Sequence, residues 1–373
     1  MPWEKRGVTS LREEFVIKAE KKLATISQLC RDYNISRKTA YKWLNRYSEE
    51  GILGLNDRSK RPSYTPLRTR DNFVDLIISL REKFPAWGAK KLKQVLINEG
   101  CKDLPSLSTF NRILRQENKI FPSESDKRKP FIRFEREHPN ELWQMDFKGF
   151  FSVPGSECHP LTILDDCSRY AISLKACASE NETVVHKGLE NAFRQYGLPS
   201  AMTMDNGSPW KGYPGQRLSS ITVWLMRLGI KVSHSRPRHP QTQGKDERFH
   251  RSFKEEVLKY HNFQSLQDAQ QHFDEWRELY NCVRPHEALN MVCPAQKYRV
   301  SERPYTEKLP PIEYLPGDEV KKVASNGDIC FQSRRYHIGK PLRGEFVALR
   351  QIQDHEWDVY YVNSRLCRFR LKL

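Results

Sequence analysis

The chain has 373 residues, with 63 Lys and Arg against 46 Asp and Glu, a net charge of +17. That length exceeds one compact core, so two to four domains are expected, and the basic excess points to polyanions, nucleic acid ahead of an anionic membrane surface. No run approaches the roughly 20 apolar residues of a membrane helix and residues 1–6 lack the apolar core of a signal peptide, so no membrane partner and a cytoplasmic location are expected.

Nine cysteines are scattered without a C-x-x-C pair, which argues against zinc knuckles and disulfide frameworks. They read as reduced, mostly buried small apolar residues.

Residues 26–32 carry the spacing of a short amphipathic helix, Tyr33 and Asn34 supply a turn, and Ser36 is a good N-cap for a helix over 37–46. Short helix, tight turn and basic helix make a helix-turn-helix, whose second helix enters the major groove of DNA. Arg37, Lys38, Tyr41 and Lys42 are expected to point outward, with Arg46 further along, while Ala40, Trp43 and Leu44 pack inward. Residues 56–66 lack apolar periodicity and carry Arg58, Lys60, Arg61 and two prolines, an extended basic linker suited to a phosphate backbone or minor groove. Helices are then expected over 72–83 and 89–98, with a third opened by Pro105 and Ser106. Arg112 on that third helix is a further candidate DNA contact in a second helix-turn-helix.

The polar stretch 123–130 is the best domain boundary. Beyond it strands are expected over 142–147, 160–165 and 169–174, followed by a helix over 181–196 stopped by Gly197. Strands over 201–205 and 230–233 and a long helix over 244–260 complete an α/β order with a mixed sheet. From about residue 316 short strands separated by Gly327, Gly339 and Gly344 spell a small all-β barrel or sandwich. The domains read as 1–62, 63–125, 126–300 and 301–373.

Asp146 lies near the end of the first of these strands and Asp205 where a later strand meets Asn206 and Gly207. Ligands in α/β sheets gather at strand ends, and carboxylates concentrated there repel unless a cation lies between them. Oxygen ligands of this kind suit Mg²⁺ or Mn²⁺. A third acid is available on the last helix. Phe249, Phe253, Val257 and Tyr260 form one stripe of that helix, expected to face the core, with Glu247 opposite it and Arg251 and Lys254 one and two turns on.

Four segments together are more specific than any one acid: Trp143-Gln-Met-Asp146, Leu164-Asp-Asp-Cys-Ser-Arg-Tyr170, Asp205-Asn-Gly-Ser-Pro-Trp210 and His239-Pro-Gln-Thr-Gln-Gly-Lys-Asp-Glu-Arg-Phe-His250. This set resembles the integrase-core transposases of bacterial insertion sequences, relatives of retroviral integrases. Tyr280 to Leu289, followed by Pro294, is similar to the family's post-catalytic segment, and residues 35–44 to its leading helix-turn-helix.

The resemblance implies a ribonuclease H-like core with an Asp-Asp-Glu triad of Asp146, Asp205 and Glu247 as catalytic metal ligands, holding two Mg²⁺ or Mn²⁺ ions. It also implies Lys245 and Arg248 as residues that contact DNA or steady the helix. Asp246 stands where an apolar residue is commoner in the family, so two adjacent acids compete for the third position. Glu247 is preferred because it opposes the apolar stripe, leaving Asp246 to one side. The implied activity is cleavage of transposon ends and their joining to target DNA by at least a dimer, on double-stranded DNA at the bacterial nucleoid.

Overall fold

A computed structural model of the chain describes residues 8–58, 69–120, 136–205, 207, 210, 218–234 and 244–371. They fall into two compact units, residues 1–68 and 69–373.

In the first unit α1 (Val8–Glu20), α2 (Ile26–Asp32) and α3 (Arg37–Glu50) enclose Phe15, Val16, Leu29, Ala40, Trp43 and Leu55. Ser36 caps α3 by accepting a 3.1 Å hydrogen bond from the Thr39 amide, as its position before the basic helix predicts. The helix runs past residue 46 to Glu50 and stops at Gly51, where φ is +63°. Arg37, Lys38, Tyr41 and Lys42 are exposed while Ala40 and Trp43 are buried and Leu44 half-buried, the outward and inward faces expected of α3. Arg46 is only half exposed and lies over the Trp43 ring. Arg58 pairs with Glu50 on α3, which turns it back towards its own helix rather than along the linker. Lys60 and Arg61 lie outside the described residues.

The second unit begins with α4 (Asp71–Lys83), α5 (Ala89–Asn98) and α6 (Leu107–Gln116), whose own core includes Ile77, Trp87, Leu92, Phe110 and Leu114. Ser106 caps α6 through the Thr109 amide at 3.2 Å. Arg112 is exposed on α6.

The central sheet is built from β1 (Trp143–Phe147), β2 (Phe151–Val153), β3 (Ser156–Asp165), β4 (Ala171–Cys177), β5 (Ala201–Met204) and β6 (Lys231–His234). β3 is antiparallel to β1, β2 and β4, whereas β5 is parallel to both β1 and β6. This is the mixed sheet of a ribonuclease H-like core. Alternation along β1 sends Trp143 and Met145 into the core under α7 (Glu182–Tyr196) and α8 (Ser220–Arg227), and Gln144 and Asp146 to the other face. That face is covered by α9 (Gly244–Phe253) and α10 (Leu266–Glu278), through Phe249, Phe253, Phe273 and Trp276.

Besides β2, which has no counterpart among the expected strands, two helices depart from expectation here. The helix from residue 244 is regular only to Phe253 and then widens into a π turn over Lys254–Leu258. Tyr260 is therefore 57% exposed and not part of the buried stripe. The helix α10 has no counterpart in the sequence reading.

A short helix α11 (Pro294–Lys297) leads to the C-terminal region, a four-stranded antiparallel sheet in the order β12-β11-β10-β7 with a β8-β9 hairpin. Its strands are β7 (Glu319–Lys322), β8 (Asp328–Phe331), β9 (Arg334–His337), β10 (Phe346–Gln353), β11 (Glu356–Tyr361) and β12 (Ser364–Arg370). Their apolar faces pack on Val223, Leu218 and Met226 at and beside α8.

All nine cysteines are free, but only Cys30, Cys158, Cys177 and Cys293 are buried, fewer than their composition suggested. Among the described residues no helix is long and apolar enough to cross a membrane.

Candidate active site

β1 and β5 run parallel with Trp143 beside Met202 and Gln144 beside Thr203. Continuing that register two residues brings Asp146 level with Asp205, so the two acids leave the same edge of the sheet on neighbouring strands. Burial first, and Asp205 second, push the Asp146 carboxyl up to about 7. Asp146 Oδ1 accepts from the Phe147 amide at 2.9 Å.

The Asp205 carboxylate is shaped by its own turn. Oδ1 accepts from the Gly207 amide at 2.9 Å, and a Cβ on Gly207 would stand 3.0 Å from Asp205 Oδ2, tighter than ordinary contact. From β6, His234 Nδ1 donates to the Asp205 carbonyl at 2.9 Å. Buried Trp210 stacks on Phe147 at 5.5 Å and closes this corner.

The backbone of Asp146 is tied to α9 through a residue pair that sequence reasoning did not assign. Thr162, opposite Asp146 in the β1–β3 register, donates its hydroxyl to the Asp146 carbonyl at 2.9 Å. His250 Nε2 lies 2.9 Å from the same hydroxyl oxygen. Since the single hydroxyl proton goes to the carbonyl, Nε2 must carry the imidazole proton. Burial pushes the His250 pKa down to about 3, keeping the ring neutral. His250 belongs to the motif that carries the resemblance, yet a lone histidine on an apolar stripe gives no sign of its partner.

One turn earlier on α9, Lys245 reaches the turn between β3 and β4. Its Nζ lies 2.5 Å from Asp166 Oδ2 and 3.1 Å from the Asp166 carbonyl. Asp166 is 1% exposed and also accepts from Gln144 Nε2 at 2.7 Å and the Arg136 amide at 2.9 Å. Lys245 was expected to contact DNA or steady the helix; here its ammonium is held by Asp166. The neighbouring Asp165 is spent on the turn, accepting from Asn140 and from the Ser168 amide and hydroxyl.

The two adjacent acids on α9 are sharply different. Asp246 is 0% exposed, and among the described residues neither carboxylate oxygen has a hydrogen-bond partner. Burial, then Asp146 and Asp166, drive its pKa well above the usual carboxylate range. It does not lie to one side, as the stripe argument had it. Three residues before Phe249 and four before His250, it shares their inward face. Glu247 is exposed, as are Arg248, Arg251 and Lys254. Among the described residues no three acidic, histidine or cysteine side chains are gathered closely enough to hold a metal ion. What converges is a pair, Asp146 and Asp205, whose mutual repulsion suits a hard cation between them.

Behind α9 the post-catalytic segment is structural. Arg284 pairs with Glu256 at 2.9 Å, both nearly buried, and reaches Ser252 Oγ at 3.0 Å. Tyr280 packs edge-on against Phe249 at 4.9 Å. Leu279 packs against the core of the helices α4 to α6, and Lys91 of α5 lies close enough to Arg284 that burial and this charge lower its pKa to about 8.

Comparison with known proteins matches an integrase core domain at residues 136–240 and again at 228–294. A helix-turn-helix domain matches residues 11–63, a homeodomain-like domain 39–114, and the C-terminal domain of the IS481 family transposase 318–372. An uncharacterized 31.7 kDa protein of insertion element IS407 from Burkholderia multivorans is 28% identical over 158 residues, 42% of this chain and 55% of that one. An uncharacterized 39.2 kDa protein of IS476 from Xanthomonas euvesicatoria is 29% identical over 158 residues, 42% of this chain and 44% of that one. The chain thus spans about half the length of these curated relatives. Among solved structures, a simian T-cell lymphotropic virus intasome in complex with the PP2A regulatory subunit B56 gamma aligns with a chain at 14% identity and a TM-score of 0.39, covering 80% of this chain and 99% of that one. A mixed-sheet core, helix-turn-helix and all-β regions, and these domain matches in chain order together support an insertion-sequence transposase of the integrase family.

Proposed function

We propose that the chain binds the terminal inverted repeats of a transposon, cleaves their 3′ ends and transfers them to target DNA. The observation that carries this reading is the placement of Asp146 and Asp205 at the ends of adjacent parallel strands, with Asp146 held up to about 7 by burial and by its neighbour. Glu247 supplies the third carboxylate. It is on the exposed side of α9, open to DNA, whereas Asp246 lies wholly beneath the surface.

Two divalent ions, Mg²⁺ or Mn²⁺, would be held by Asp146, Asp205 and Glu247 and would activate a water or 3′-hydroxyl and stabilise the departing oxygen. The protein's own work is positional. Thr162 and His250 hold the Asp146 backbone against α9, Gly207 and His234 fix the Asp205 turn, and Lys245 anchors the start of the helix. Arg248, Arg251 and Lys254 would take phosphates beside the site. The exposed face of α3 would read repeat DNA, with α6 as a second contact. Domains divided as 1–62, 63–125, 126–300 and 301–373, a dimer or larger assembly on paired ends, and a cytoplasmic, nucleoid-associated location complete the reading.

The test is strand cleavage and joining by purified protein on the repeats that flank its gene, with and without Mg²⁺. Metal-independent activity, or none on any end, would sink it.

A further inference from the structure

A cleft opens two residues beyond Asp146. It is about 270 Å³ in volume and is walled by Lys148, Phe150 and Phe151 from the β1–β2 turn, and by Lys254, Leu258 and Lys259 from the end of α9. Each wall thus continues a segment that carries an acid of the proposed site. Among the described residues no acidic side chain lines the cleft. Among the described residues Lys148 and Lys254 have no acidic partner, and only Lys259 is paired, to Glu255 at 2.5 Å. Lys148 is near enough to the site for its charge to act on both Asp146 and His250.

Phe150 is the unusual member. It is 64% exposed, one face in loose contact with His159 at 5.6 Å. Ammonium groups around an apolar ring, two of them without an acidic ion-pair partner among the described residues, match the two parts of a nucleotide, phosphate and base. A duplex offers phosphates but keeps its base faces stacked. An exposed ring therefore gains a partner only from an unpaired base, and the cleft has room for one nucleotide rather than a helix.

We propose that this cleft binds single-stranded DNA adjoining the scissile phosphate, its phosphates on Lys148, Lys254 and Lys259 and one unpaired base stacked on Phe150. The assignment rests on the transposase reading for the location of the scissile phosphate, but its chemistry is independent of metal and turnover. It explains why the two walls of a basic cleft are placed immediately after β1 and along α9: the strand leaving the site has to pass one or the other.

Fluorescence anisotropy in EDTA, with the full chain, tests this. The probes are a labelled blunt duplex and the same duplex carrying a single-stranded thymidine tail. Wild-type protein should prefer the tailed probe at least about fivefold, the effect of one stacked base. Phe150→Ala should abolish that preference without lowering the melting temperature. Phe150→Leu, which keeps apolar bulk and removes the ring face, should do the same and guards against a folding defect in the alanine variant. Lys148→Gln should retain the preference and reduce the salt slope by about 0.7 on the tailed probe. Equal binding of the two probes by wild-type protein, or a preference that survives in both Phe150 variants, overturns the proposal. A protein that cleaves ends but ignores the tail refutes the cleft alone. One that prefers the tail yet cleaves nothing supports the cleft and counts against the transposase reading.

Discussion

His250 and Thr162 stand 2.9 Å apart, and through that contact the helix carrying Glu247 is fastened to the carbonyl of Asp146. Thr162→Val keeps the shape but leaves the carbonyl and the imidazole N–H without their partner. Such a buried orphan costs about 1–3 kcal/mol. The variant should melt lower and cleave more slowly, with end binding unchanged. An unaltered cleavage rate would mean that this tie is not needed to align the acids.

The neighbouring acids on α9 should respond in opposite ways. Asp146→Asn, Asp205→Asn and Glu247→Gln are each expected to abolish cleavage and joining while sparing DNA binding. Asp246→Val removes a buried carboxyl that has no hydrogen-bond partner among the described residues, and should raise stability by about 1–3 kcal/mol while most activity remains. Side-by-side joining assays and melting curves decide between the two. A dead Asp246→Val with an active Glu247→Gln moves the third ligand by one residue.

Lys245 and Arg251 offer a further contrast. Lys245→Met should leave buried Asp166 short of its cation and destabilise the fold on the order of 3 kcal/mol. The salt dependence of DNA binding should hardly change. Arg251→Ala should leave the melting temperature alone and reduce the salt slope by about one. Reversal of these two phenotypes would make Lys245 the phosphate contact.

On α3, Lys38 and Lys42 are both exposed, and the Lys42 ammonium lies over the Trp43 ring; Lys38→Ala and Lys42→Ala test their contact with DNA. Losing a phosphate contact should flatten the salt slope by about one on repeat and random DNA alike, whereas losing a base contact costs about 1–3 kcal/mol on the repeat only. Titrations at several salt concentrations separate the cases, and no change on either DNA would remove α3 from the interface.

Acid should weaken the fold through two histidines. Burial holds His250 down at about 3 and His286 at about 2, Arg284 adding to the latter. Both folded values lie below the unfolded value near 6.5, so their contribution is complete above about pH 6.5 and is lost as pH falls towards the folded values. The slope approaches about 1.4 kcal/mol per pH unit for each ring. Denaturant titrations between pH 7 and 4 should therefore be shallower in pH for the variant His250→Gln/His286→Gln. Identical slopes would mean the rings are charged in the native state.

Much of this fold was legible because local and tertiary signals agree. Ser36 and Ser106 cap the helices they precede, α5 spans residues 89–98 as its periodicity indicates, and the C-terminal region is made of six short strands, the β8-β9 hairpin lying between Gly327 and Gly339. Asp146 and Asp205 could be located at strand ends because a strand closing in an acid is a local pattern. What escaped depends on contacts distant in sequence. His250 meets Thr162 across 88 positions and Lys245 meets Asp166 across 79. Asp246, expected to one side of the apolar stripe, is buried with it, as its spacing of three and seven residues from Phe249 and Phe253 allows. The π turn after Phe253 shifts the phase of the helix, which no fixed period anticipates, and so Tyr260 was counted in a stripe it does not join.

The helix α8 belongs to two interiors at once. Ile221 and Leu225 are buried in the core beneath the sheet, while Val223 is buried with the C-terminal strands, and Arg227 approaches Glu345 at 3.9 Å. The all-β region is therefore not a detachable tail. Exchanging it between related elements would require recasting the outer face of α8 as well, so recombination should move the two together, and chimaeras joined between them should be prone to aggregate through the apolar wall left bare.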